Sequence, residues 1–223
     1  MSEKYGIAAG LIVAIFGTQA THAQELEEIT VTAQKRSENL QDVPISVSAV
    51  TGSMLTTQGI TTTEDLSSVV PGLTMARETS AVLIYLRGVG TQGGTLGEDA
   101  SVATFVDGVY ISAVTGTQFG LSNVDRIEVL KGPQGTLYGR NATGGAINII
   151  TKTPSETPSI DAQIGYGNLS SREGQFYVTG GITHHLAADL SVYYAQDDGF
   201  GRNVFTGEDV NGRKDFDVRS KIL

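Results

Sequence analysis

The stretch VDRIEVLKGPQGTLYGRNATGGAINIITK, Val124 to Lys152, decides how this chain folds. Ile127 to Leu130 and Ala146 to Thr151 are apolar, β-branched runs that read as short strands. The segment between them, Gly132-Pro133-Gln134-Gly135-Thr136-Leu137-Tyr138-Gly139-Arg140, is a glycine-rich turn. It lacks the Gly-Lys-Ser/Thr ending of a phosphate loop, so it implies no nucleotide cradle.

Upstream, Leu73 to Ala76, Val82 to Leu86 and Val102 to Val106 read as further short strands between glycine-rich turns, and Pro44 to Val50 alternates at the strand period of two. Two short helices are expected among them. One spans Gly52 to Gln58; the other is opened by the capping-box pattern Thr61-Thr62-Thr63-Glu64 and closed by Pro71-Gly72. Together these elements form an α+β domain over residues 38–153.

Downstream, Pro154-Ser155-Glu156-Thr157-Pro158 breaks the pattern and the strands lengthen: Ile160 to Tyr166, Gln175 to Gly181 and Ala187 to Gln196. In the last, Leu190, Val192 and Tyr194 alternate with Ser191, Tyr193 and Ala195. Gly167 to Arg172 joins the first pair, a tighter turn near Thr183 to Leu186 joins the second, and a long, acidic, glycine-rich connection follows from Asp197 to Asn211. Strands running up and down between short turns and longer loops are the pattern of a transmembrane β-barrel. Residues 154–223 are therefore expected to be its first antiparallel strands, with the barrel incomplete.

The chain opens with a targeting signal. Lys4 precedes an apolar run from Ile7 to Phe16, and Thr21-His22-Ala23 offers small residues for cleavage after Ala23, which gives a signal peptide over residues 1–23. The run is shorter than the ~20 residues that span a bilayer. No later segment could cross as a helix, so a later crossing would use strands and place the protein in the outer membrane.

Residues 24–37 hold one lone strand and a linker. Ile29, Val31 and Ala33 alternate with Thr30 and Thr32, which suits either an edge strand of the following domain or a strand that pairs with a different protein. Gln34 to Gln41 is polar linker by composition.

Composition removes several classes of function. The 223 residues include 28 Gly and no Cys, which excludes disulfide frameworks, thiolate metal sites and cysteine nucleophiles. A formal net charge of -9 leaves no basic stripe for nucleic acid. Gly88-Val89-Gly90-Thr91-Gln92-Gly93 matches G-x-G-x-x-G after a strand, with Asp107 downstream. The glycines and acids of Gly94 to Asp99 disfavour the helix such a dinucleotide site requires, so the motif reads as a hairpin tip. His184 and His185 would point to opposite faces of a strand and cannot chelate one metal. No catalytic residue, metal ligand or cofactor is assigned, and an enzyme is not expected.

The stretch from Val124 to Lys152 closely resembles the plug motif of TonB-dependent outer-membrane receptors, and Phe105 to Tyr110, Leu86-Arg87-Gly88 and Val70-Pro71-Gly72-Leu73 match that family in type and order. Glu28 to Ala33 resembles its TonB box. The resemblance implies a plug that closes a large barrel and a box that TonB pairs with to transmit inner-membrane energy. Glu28, Ile29, Thr30, Val31, Thr32 and Ala33 are then the TonB-binding residues, in keeping with strand addition by a segment of alternating side chains.

The plug's outward tips, Gly90 to Ser101 and Ser112 to Phe119, would touch substrate, with Gly90, Gln92, Gly93, Gln118 and Tyr138 as candidates; for Tyr138 a packed aromatic is the other reading. Arg87, Arg126, Glu128 and Arg140 are candidate plug–barrel contacts. The implied partners are TonB, outer-membrane lipid and a small ligand. Ferric siderophores are the commonest expectation, beside cobalamin, haem, sugars and aromatic compounds. Only Gln24 to Leu26 separates cleavage site from box, which implies a transporter without its own signalling domain. A barrel of about 22 strands at ~9–11 residues each exceeds what Ile160 to Leu223 supplies, so this polypeptide alone is not expected to insert stably or transport. A plug-like periplasmic binding module is the alternative.

Overall fold

Two sheets of opposite sidedness organise the protein. The computed structural model describes residues 29–78, 81–91, 93, 99–112, 120–183 and 185–223. The signal-peptide expectation, Glu28, Gln92, Gln118 and His184 lie outside the described residues.

The chain enters as a small antiparallel hairpin, β1 (Thr30–Val31) with β2 (Glu38–Asn39). β3 (Val47–Thr51) leads into α1 (Gly52–Gln58), where the expected helix lies. Thr51 caps it, its Oγ1 accepting from the Met54 amide at 3.3 Å, and Gly59 ends it in the left-handed conformation at φ 66°. The second helix is only a 3-10 turn, Glu64–Ser68, and its expected capping box does not form. Asp65 instead accepts from the Thr62 hydroxyl at 2.7 Å and from the Thr61 and Thr62 amides, while Glu64 turns away to Arg77 at 3.0 Å. An aspartate one position later satisfies the same amides with a shorter reach.

β4 (Leu73–Glu78), β5 (Ala81–Leu86) and β6 (Val89–Gly90) form a three-stranded antiparallel sheet. β7 (Val102–Val106), β8 (Val109–Ile111), β9 (Val124–Lys131) and β10 (Gly145–Thr151) join β3 in a five-stranded sheet ordered β3-β9-β10-β7-β8. Its β7–β10 pair is parallel and the others antiparallel. A short helix, α2 (Gly135–Tyr138), occupies what the sequence suggested was only a glycine turn.

Ile127, Val129 and Leu130 of β9 and Ala146, Ile147 and Ile149 of β10 are buried whichever way they point, because both faces of their sheet are covered there. Ile127, Val129, Ile147 and Ile149 face a core made with Leu55, Leu66, Val82 and Leu86. Leu130 and Ala146 face the other way, onto Val31 and Ala33.

The second sheet is built of β11 (Ser159–Tyr166), β12 (Arg172–Thr183), β13 (Leu186–Asp197) and β16 (Arg213–Ile222), antiparallel throughout and open at both edges. The connection before β16 contains a two-residue-strand hairpin, β14 (Gly201–Arg202) with β15 (Asp209–Val210). Register pairing puts Phe176, Val192 and Val218 in one cross-strand row and Tyr194 beside Phe216 in another. These lie on the uncovered face: Ile164 is 94% exposed, Phe216 70% and Ile222 71%. The covered face carries Asp189, Ser191 and Tyr193, all buried. Apolar side chains outside and polar ones inside invert the pattern of a soluble sheet.

Candidate functional site

Ile29 to Ala33 does not hang free from the N-terminal domain; it folds back onto the second face of the five-stranded sheet. The alternation that suits pairing with a partner also suits covering Leu130 and Ala146, and Val31 and Ala33 are 0% and 1% exposed there. The β1–β2 pairing, continued by the Leu40 amide donating to the Ile29 carbonyl at 2.9 Å, occupies one side of the strand's backbone. On the other side the Thr32 amide donates to Glu128 Oε1 at 2.7 Å, with the Thr32 hydroxyl at 3.1 and 3.3 Å from the two carboxylate oxygens.

Glu128 is wholly buried, and a buried carboxylate needs partners. Arg126, two positions earlier on the same face of β9, supplies the second, its Nε donating to Oε1 at 2.9 Å while Nη1 pairs with Asp125 at 2.8 Å. One short cluster thus joins the lone strand to the centre of the sheet. Alternation alone did not foretell it: a glutamate inside the otherwise apolar run Ile127 to Leu130 was the available signal that something polar must come to meet it.

Tyr138 belongs to this cluster and not to an outward tip. Its hydroxyl donates to the Ala33 carbonyl at 3.0 Å, its ring stands edge-on to Phe105 at 5.2 Å, and Lys35 lies 5.7 Å above it. Burial, reinforced by the Glu128 carboxylate, pushes its hydroxyl up to about 12 and keeps it a donor. The packed-aromatic reading fits these contacts, and Tyr138 is spoken for by Ala33 rather than free for a substrate. Partial burial, with the Arg87 guanidinium nearby, lowers the Lys131 ammonium below the ordinary lysine range.

Each of the four candidate plug–barrel residues has a partner within the domain. Arg126 and Glu128 pair with each other, Arg140 Nη2 meets Asp99 Oδ2 at 2.8 Å, and Arg87 donates to the Ser46 hydroxyl at 2.7 Å. They lie on turns and strands whose nearest acceptors are local. Gly90 closes β6, where an added Cβ would strike the Tyr85 ring, so this glycine serves strand packing. Gly88 and Arg87 form the turn of the β5–β6 hairpin with φ of 81° and 52°, as the hairpin reading of the G-x-G-x-x-G motif requires. Gly93 is described but lies in no helix or strand.

Contacts to the second sheet come from residues the sequence had not marked. Lys221 Nζ lies 3.1 Å from Asp107 Oδ2 and donates to the Thr151 carbonyl at 3.2 Å. Asp107 also receives the Thr151 amide and hydroxyl at 2.9 and 2.7 Å. Arg219 Nη2 donates to the Gly120 and Ser122 carbonyls at 2.8 and 3.1 Å, and Lys152 pairs with Asp161 at 3.4 Å. The period-two alternation of charge in Arg213–Ile222 could have revealed the first two partners. Among the described residues no group of three or more His, Asp or Glu is arranged to hold a metal.

Residues 39–146 match the family described as TonB-dependent Receptor Plug Domain. The "Pesticin receptor" of Yersinia pestis is 32% identical over 217 residues, which cover 95% of this chain and 32% of that relative. The "Catecholate siderophore receptor Fiu" of Escherichia coli K12 is 30% identical over 181 residues, covering 78% of this chain and 22% of its own length. The solved ferric yersiniabactin uptake receptor FyuA from Yersinia pestis superposes with a TM-score of 0.73 at 32% identity, over 80% of this chain and 28% of that one. The chain thus spans about a third of the length of the first relative.

Proposed function

We propose that this chain, which belongs through residues 39–146 to the TonB-dependent receptor plug family, is the plug and first wall strands of an outer-membrane receptor for energy-coupled uptake of a scarce ligand of the ferric-siderophore type. The observation that carries the reading is the inverted sidedness of the second sheet. Its apolar outward face suits lipid, and its polar inward face holds a folded plug. Left in water, that outward face would be a large apolar patch, which counts against the periplasmic-module reading. The relatives and the superposed structure are receptors whose printed names concern siderophores, ferric yersiniabactin and pesticin, and none is an enzyme.

In this reading Ile29 to Ala33 is the strand offered to TonB. Strand addition needs a free backbone edge. The Thr32 amide is engaged by Glu128 and Val31 is buried, so the docked strand is a resting arrangement that must lift away before TonB pairs with it.

Ile29→Pro, in the receptor that contains this chain, removes a backbone donor and locks φ within that strand. Uptake of radiolabelled ferric siderophore by cells is expected to fall to the level of a strain lacking TonB, with surface binding retained. Unchanged uptake would remove this segment as the coupling strand.

A further inference from the structure

Among the described residues, the contacts between plug and wall are concentrated on few side chains. Tyr193 of β13 is 0% exposed, and its ring packs against the backbone of Gly120 so closely that an added Cβ would collide with ring atom Cδ1. Gly120 does not have positive φ, so shape and not backbone freedom demands glycine here. Beside it, Arg219 of β16 places one nitrogen on the Gly120 carbonyl, the Ser122 carbonyl and the Ser122 hydroxyl, at 2.8, 3.1 and 3.1 Å. The Ser122 hydroxyl also meets that of Ser191 at 3.1 Å, and Lys221 reaches Asp107 further along β16. On the plug side, the Leu121 amide donates to the Thr61 carbonyl at 2.8 Å, so the segment that receives the wall is itself pinned to the domain.

From this geometry we infer that β13 and β16 form a docking surface sufficient to hold the plug without any further wall strand, with Gly120 and Arg219 as its determinants. A charged donor shared among three acceptors beside a ring seated on bare backbone fixes position and orientation together. The plug is therefore registered against the first four strands of the wall as soon as β16 exists, and those strands template the position the plug keeps inside the finished receptor. The side bearing Asp107, Gly120 and Thr151 stays attached, and any passage for ligand opens elsewhere on its perimeter. The inference is independent of which ligand is taken up and of the TonB reading.

The absence of native cysteine makes the seam directly testable. Ser122→Cys with Ser191→Cys, in the 223-residue chain folded in detergent, is expected to form an intramolecular disulfide under mild oxidation, since the two oxygens stand 3.1 Å apart. Adding Arg219→Ala is expected to slow that oxidation about tenfold or more, the effect of losing a charged hydrogen bond. Gly120→Val, which drives a side chain into the Tyr193 ring, should abolish it. Hydrogen-exchange protection of the Val129 and Ile147 amides should persist in Arg219→Ala, which lies outside the plug and leaves every bond internal to the plug in place. Should Gly120→Val also unfold the plug, Arg219→Ala decides alone. Failure of the parent pair to oxidise until later wall strands are supplied, or equal oxidation with and without Arg219, would overturn the inference.

Discussion

The five-stranded sheet and the four-stranded sheet are both β-structure, yet their sequences solve opposite problems. β9 and β10 are buried on both faces over Ile127–Leu130 and Gly145–Ile149, runs whose apolar residues are interrupted only by Glu128 and Asn148. β16 alternates, with Arg213, Asp215, Asp217, Arg219 and Lys221 on the inner face and Phe216, Val218 and Ile222 on the outer one, beside Lys214 and Ser220. The difference teaches that a polar residue is the exception to be explained in the first sheet and half of the plan in the second.

The same substitution in each sheet separates them most sharply. Val129→Asp puts an unpaired charge at a site with 0% exposure and should cost more than ~4 kcal/mol, enough to abolish the plug's folding. Circular dichroism and loss of exchange protection in β9 and β10 would register it. Val218→Asp, on a residue 51% exposed, should leave the plug folded.

Glu128→Ala comes next. It leaves the Arg126 guanidinium with Asp125 alone and frees the Thr32 amide, and breaking a buried pair costs up to about 3–5 kcal/mol. The loss should appear in a denaturant midpoint, with earlier proteolysis around β1.

Val218→Arg tests the other face. A cation in the lipid-facing middle of a strand costs about 2–4 kcal/mol. In the receptor that contains this chain, membrane integration should fall while the exchange pattern of β9 stays as in the parent. Unaltered integration would argue that this face does not meet lipid.

Tyr138→Phe is the smallest change, about 1 kcal/mol for one hydrogen bond. It also carries a pH signature. The folded protein raises this hydroxyl from 10.0 to about 12, so the contribution is complete below pH 10 and is lost as pH rises through about 12. Proteolytic exposure of the Ala33 segment should rise across that window in the parent, and the step should be absent in Tyr138→Phe.

Much of the fold was legible because it rests on local rules. α1 and β7 lie where periodicity and turn residues put them, and β5 differs by one residue. What escaped depends on distant company. β2 lies in a polar stretch and exists only because β1 turns back to pair with it, and β8 is three residues long. Of the candidate sites, Ile29 to Ala33 was legible as a strand but not as a docked one, because period-two alternation says which side chains share a face and not what covers them. Arg126, Glu128 and Arg140 were marked as long-range contacts, whereas their charges are met within the plug. The contact with the second sheet uses Gly120, whose part depends on the Tyr193 ring, 73 positions later (193 minus 120).

The order of the plug sheet carries a temporal consequence. β9 and β10 sit at its centre, and β3 touches no strand of that sheet but β9, some 77 positions downstream from Val47 to Val124. β7 finds its parallel partner only in β10. A ribosome delivering the chain from its N-terminus therefore releases Val47 to Ile111 before the central strands exist. Loop closure over such separations is slow. The hairpins β4–β5–β6 and β7–β8 can pair locally, but β3 and the inner edge of β7 wait unpaired until β9 and β10 arrive, a state that favours an escorting chaperone.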